Sequence, residues 1–162
     1  VKENYKEELA HVEEMLDKHK FYAVGEIGID LYWDKSTLPI QQNAFRHQIK
    51  LAKQYKLPIV IHCREAFDEI FDILEEEKSD DLFGIFHCFT GTLEQAHQAI
   101  SYNMKLGIGG VVTFKNGKIW RHHSDNSNRN TFYNDTIIQL NVTLFKSTCA
   151  LYRVFSLADI TY

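Results

Sequence analysis

Apolar residues recur at two different periods along the first hundred residues of this chain. Tyr5, Leu9, Val12 and Leu16 fall at helical spacing and predict an amphipathic helix from Tyr5 to about Lys18. Three short apolar runs, Phe21–Glu26, Pro58–His62 and Leu82–His87, predict buried parallel strands, each delivering a polar residue at its carboxyl end. Between the first two lies a polar, aromatic loop through Gly28, Asp30, Tyr32, Trp33 and Asp34. A second helical stripe then spans Pro39 to Lys56, with Phe45, Ile49, Ala52 and the stem of Lys56 inward and Pro39 in its first turn. A third helix is expected over Ala66–Glu77, burying Phe67, Ile70, Phe71 and Leu74. A fourth spans Thr92–Tyr102, capped by Thr92, and Lys105–Gly109 follows as a fourth strand.

Strands alternating with helices predict βαβ units, hence the α/β class with a parallel sheet. A complete (β/α)8 barrel takes roughly 250 residues. Four strands before about residue 115 therefore predict a partial TIM-type barrel of parallel strands alternating with helices. Residues 1–118 read as that barrel domain. Residues 119–162 contain no Gly, Pro or Glu but five Asn, five Thr and four Ser, with no sustained periodicity beyond a strand-like stretch from Thr136 to Leu144. They read as an anomalous C-terminal tail, either disordered or frameshifted.

Composition narrows the classes. Of the 162 residues, 44% are hydrophobic and 25% charged, as in ordinary globular proteins, and no run is long or apolar enough to span a bilayer. The expected location is the cytoplasm, with no membrane partner. A formal charge of −4 argues against passive coating of nucleic acid, though less against a nuclease that uses bound cations. Three cysteines do not make a disulfide scaffold. Cys63 and Cys88 each follow a strand-end histidine and read as buried small residues, with thiolate ligation of zinc the lesser alternative.

In an α/β barrel the carboxyl ends of the strands form the catalytic face. Glu26, His62 and His87 stand there, and imidazoles with a carboxylate suit zinc or a divalent ion of the first transition row. A lone strand-end histidine is ordinarily structural. Two of them plus a carboxylate in one repeating register point instead to a metal-dependent hydrolase. A carboxylate can bridge two ions, which histidine cannot. Arg64, two residues past His62, lies on the same side if the strand extends that far, and its fork suits phosphate. By residue type alone, Asp30 and Asp34 read as loop-stabilising, and His47 and His97 as helix-surface residues.

The segments Ala23–Asp30, Gln42–Gln48 with Ile59–Ala66, His87–Gly91 and Gly109–Asn116 resemble, in order, those of the TatD-type metal-dependent deoxyribonucleases. The likeness covers roughly residues 5 to 118. It implies a TIM-like barrel of the metallo-dependent hydrolase superfamily that hydrolyses DNA phosphodiesters with a divalent metal, Mg²⁺ foremost, Mn²⁺ or Zn²⁺ otherwise. It also implies that Glu26 is shared by two metals, that His62 and His87 ligate one of them, and that Arg64 and Asp30 line the substrate cleft. Catalytic residues are not assigned.

Two family segments have no counterpart here: an opening strand with a His-x-His pair, and a later Glu-Thr-Asp-x-Pro segment whose Asp is ligand and candidate base. The chain thus reads as truncated at both ends, with half the expected ligands and impaired activity. DNA is the expected substrate, and open barrel edges predict self-association. The alternatives are a related amidohydrolase or phosphotriesterase-like barrel acting on small molecules, or a gene fragment without function.

Overall fold

The computed structural model describes residues 4–107 and 109, together with the backbone of 154–155. Helix α1 (Tyr5–Lys18) buries Leu9, Val12 and Leu16, the stripe its periodicity predicts. Strand β1 (Ala23–Asp30) leads to α2 (Leu38–Tyr55), which carries Pro39 in its first turn. Strand β2 (Ile59–Arg64), α3 (Phe67–Glu76), β3 (Gly84–Phe86), α4 (Leu93–Ser101) and β4 (Met104–Leu106) continue the alternation. All strand pairings are parallel, in the order β4-β3-β2-β1-β5, where β5 (Val154–Phe155) pairs with Ala23 and Val24 on the outer side of β1. Consecutive strands lying side by side with helical crossovers are the repeating unit of a (β/α) barrel. The partial-barrel architecture expected from the sequence is the one found.

One face of the sheet carries the core. Ile27, Ile29, Ile59, Ile61, Phe86, Met104 and Leu106 are each no more than 2% exposed and join one cluster with residues of the four helices. Phe67, Phe71, Phe86, Phe89 and Tyr102 form its aromatic centre, with ring centroids 5.4–6.1 Å apart. The opposite face alternates with it: Val60, His62 and Ile85 are half-buried, and Arg64 and Lys105 are exposed. The sequence reading made these strands buried throughout. A single layer of helices accounts for the difference, because residues i and i+2 share a face and only one face meets that layer.

Several boundaries differ for the same reason. Beyond Glu26 the chain keeps alternating, with Ile27 and Ile29 inward and Gly28 and Asp30 outward. Ladder pairing with β2 holds it as strand through Asp30, four residues past the expected end. Strand β2 likewise runs on to Arg64, so Glu26 and His62 lie within strands rather than at their ends. Lys56 does not join the inward stripe of α2. It is the exposed left-handed C-cap (φ 53°), and the stripe is completed instead by Gln41 and Gln48. Thr92 caps α4 as expected, in a reciprocal capping box with Gln95. The helices are also tied at the surface: His47 meets Glu13 of α1 at 2.6 Å, and Lys53 donates to Glu77 beyond α3 at 2.7 Å.

The readings made for 119–162, including the strand-like Thr136–Leu144 stretch, lie outside the described residues except at 154–155. Among the described residues no helix is long and apolar enough to cross a membrane.

Ile61 sits fully buried in the central strand. Ile61→Ala should cost about 2–5 kcal/mol, as cavity-forming substitutions in close-packed cores do. A loss of unfolding free energy under about 0.5 kcal/mol in urea titration would show that this face is not the core.

Candidate metal centre

The site is assembled by the pairing of β1 with β2. Gly28 lies opposite His62 and Asp30 opposite Arg64, which puts the polar residues of both strands on the face away from the helices. Gly28 has φ +137°, and a Cβ there would fall 2.1 Å from the His62 carbonyl oxygen. Only glycine permits this approach. Between Gly25 and Ile27 the register slips by one residue, and the extra residue is Glu26. A bulge of this kind re-aims a side chain and is common beside active sites.

The carboxylate of Glu26 then lies 3.5 Å (Oε1) from Nδ1 of His87. His87 is placed by its own N–H, which donates to the Ile61 carbonyl at 2.8 Å just past β3. On the other side of the site, His62 Nε2 donates to Asp30 Oδ2 at 3.0 Å. The five site residues expected from the sequence are thus arranged as two imidazole–carboxylate pairs, Glu26 with His87 and Asp30 with His62, and an exposed arginine. Asp30, expected to line the cleft, stands directly beside His62.

The donor chemistry fits a divalent ion, since neutral imidazole and carboxylate are ligands for zinc, manganese or magnesium in different proportions. Among the described residues, however, no three His, Cys, Asp or Glu side chains converge closely enough to hold an ion together. The described residues therefore offer ligands in twos.

Of the two described cysteines, Cys63 stands apart from this chemistry and Cys88 borders it. Cys63 follows His62 within β2, so it points to the helix side and packs against the core. Burial pushes its thiol up to about 12. Cys88, with φ 49°, lies 3.8 Å (Sγ) from His87 Nε2, and burial, with Glu26 nearby, raises its thiol as well. His97 is exposed on α4, and His122 and His123 lie outside the described residues.

Gln41 was not singled out from the sequence, yet it positions the site. Its side chain, 5% exposed, accepts from the Asp30 N–H at 2.8 Å and donates to the Asp30 carbonyl at 3.0 Å. A parallel strand presents alternate peptide groups to either side. On one side the Leu31 N–H donates to Arg64 of β2; on the other, at Asp30, the Gln41 amide stands where a neighbouring strand would. The signal was available: a glutamine on the inward stripe of α2 must find a buried partner.

Comparison with known proteins identifies the wider group. Residues 1–131 match the family model described as TatD related DNase. The chain belongs to this family. Among its relatives is the uncharacterised metal-dependent hydrolase YabD of Bacillus subtilis, 47% identical over 112 residues, which are 69% of this chain and 44% of YabD. Another is the 3'-5' ssDNA/RNA exonuclease TatD of a Rahnella species, 38% identical over 90 residues, 56% of this chain and 34% of that protein. The crystal structure of the TatD homologue YjjV from Escherichia coli K12 superposes with a TM-score of 0.55 at 31% identity, covering 69% of this chain and 54% of YjjV. A TatD family hydrolase from Entamoeba histolytica gives 0.50 at 31% identity, covering 66% and 36%. The chain spans less than half the length of the curated relatives named here.

Gln41→Leu removes both contacts to Asp30 while keeping the bulk of the side chain. It should destabilise the fold by about 1–3 kcal/mol, the cost of orphaned buried peptide groups, and speed hydrogen exchange at the Asp30 amide. Unchanged exchange at that amide would show that Gln41 does not hold β1.

Proposed function

We propose that this chain carries one half of the site of a divalent-metal-dependent hydrolase acting on DNA phosphodiesters. The observation that carries the reading is the pair of imidazole–carboxylate couples on the polar face of β1–β3, beside an exposed arginine. Glu26, His62 and His87 would each offer a donor from this half of the site to a divalent ion, Mg²⁺ foremost and Mn²⁺ or Zn²⁺ as substitutes, with Asp30 beside His62. When bound, such an ion would polarise a phosphoryl oxygen and acidify water, the two contributions a phosphodiesterase most needs.

The protein's own groups do the rest. The Arg64 fork offers paired N–H donors to phosphate oxygens, and among the described residues no carboxylate competes for it. The Asp30 carboxylate fixes the ring of His62 by a hydrogen bond, so that imidazole need not be ordered when substrate arrives, while Glu26 stands 3.5 Å from His87. A relative described as a 3'-5' ssDNA/RNA exonuclease supports nucleic acid over a small-molecule ester or amide as substrate. The barrel part of this reading is residues 1–118, with 119–162 as a divergent tail.

The test is cleavage of single-stranded DNA by the 162-residue chain in Mg²⁺ or Mn²⁺. The reading expects activity that EDTA abolishes and that His62→Ala and Glu26→Gln each lower by at least about 100-fold, since even second-sphere changes at metal sites cost 10- to 100-fold. Cleavage that survives chelation or both substitutions, or a folded chain with none, would overturn it.

A further inference from the structure

The loop leaving β1 carries an exposed aromatic pair next to the site. Trp33 is 81% exposed and Tyr32 47%, and their rings meet edge to face with centroids 4.7 Å apart. The Arg64 guanidinium lies 3.6 Å from the centre of the Tyr32 ring and 5.9 Å from that of Trp33. Leaving two large rings in water forfeits the gain of burying them, so an open aromatic pair of this kind marks a contact surface.

The group is joined rigidly to the metal centre. Asp30 Oδ1 accepts from the Tyr32 N–H at 2.9 Å while its Oδ2 accepts from His62, so one carboxylate fixes both the aromatic loop and the imidazole. Further along, Asp34 accepts from the hydroxyl of Ser36 at 2.6 Å and from its N–H at 2.8 Å, bonds that lower its carboxyl from the ordinary value and hold the turn toward α2. The loop is therefore preorganised beside the site.

We propose that Tyr32, Trp33 and Arg64 form a platform that stacks one unpaired base of a single-stranded nucleic acid and seats its phosphate beside the Asp30–His62 pair. The choice of ligand rests on the nuclease reading above. Flat rings receive a base by its face whatever its identity, so the platform selects single strands over duplex without selecting sequence. The positive charge among the rings favours an anionic ligand, while a second copy would bring its own net charge of −4 against that of this chain. A nucleotide supplies a flat π-system and an anion within one residue of its backbone.

The test measures binding of the whole chain, in EDTA, to a fluorescent oligothymidylate and to an abasic oligomer of equal length. Wild type should prefer the thymidylate by roughly tenfold, the usual scale of one stacked base. Trp33→Ala should erase that preference while keeping affinity for the abasic strand, and Arg64→Ala should weaken both. No preference in wild type, equal loss on both strands in Trp33→Ala, or a Trp33-dependent dimer in sedimentation without base preference would overturn the platform. Binding is read without metal, so the two readings fail separately. Metal-dependent cleavage without a Trp33-dependent base preference removes only the platform. A Trp33-dependent preference without cleavage removes only the nuclease.

Discussion

The parallel pairing of β1 with β2 is the constraint on which the rest depends. It sets Gly28 against His62 at a distance no side chain could share, and Asp30 against Arg64. A register slip of one residue elsewhere in this pair would turn the polar residues into the helix layer and the isoleucines into water. The hydrophobic effect enforces the choice: Ile27, Ile29, Ile59 and Ile61 are all at most 2% exposed. At about 1.5–3 kcal/mol for each fully buried large aliphatic side chain, those four residues outweigh any preference of the polar ones. The chemical face is thus held in place by the core face.

Within that frame the site is a set of couples rather than a closed cage. Each imidazole has one carboxylate beside it, and each carboxylate is placed by backbone geometry: Glu26 by the bulge, Asp30 by Gln41 on one side and β2 on the other. Asp30 has the widest reach, since its two oxygens and its peptide groups connect β1, α2, His62 and the aromatic loop. Membership of the TatD family accounts for the combination of barrel topology and polar strand residues.

Much of the fold was legible because periodicity reports burial directly. The α1 stripe, the Thr92 cap and the strand–helix alternation were all visible in residue spacing. What periodicity missed were effects of pairing. Gly28 and Asp30 look like loop residues by type, but the ladder with β2 makes them strand. Lys56 continues the helical spacing on paper, yet the chain must turn before Pro58 and it becomes a left-handed cap. The site residues were visible singly, whereas their pairing was not. The Asp30–His62 contact spans 32 positions in the chain, and the role of Gln41 depends on which side of β1 the Asp30 peptide groups face. Such contacts follow from register, which no local pattern encodes.

The most direct test of the central claim, that these paired imidazoles form the metal centre, is a Mn²⁺ titration of the whole chain followed by imidazole ¹H–¹⁵N NMR. The His62 and His87 resonances should broaden first, at substoichiometric metal, while those of His47 against Glu13 and of exposed His97 stay sharp. Sharp His62 and His87 resonances, or broadening shared equally by all histidines, would contradict it.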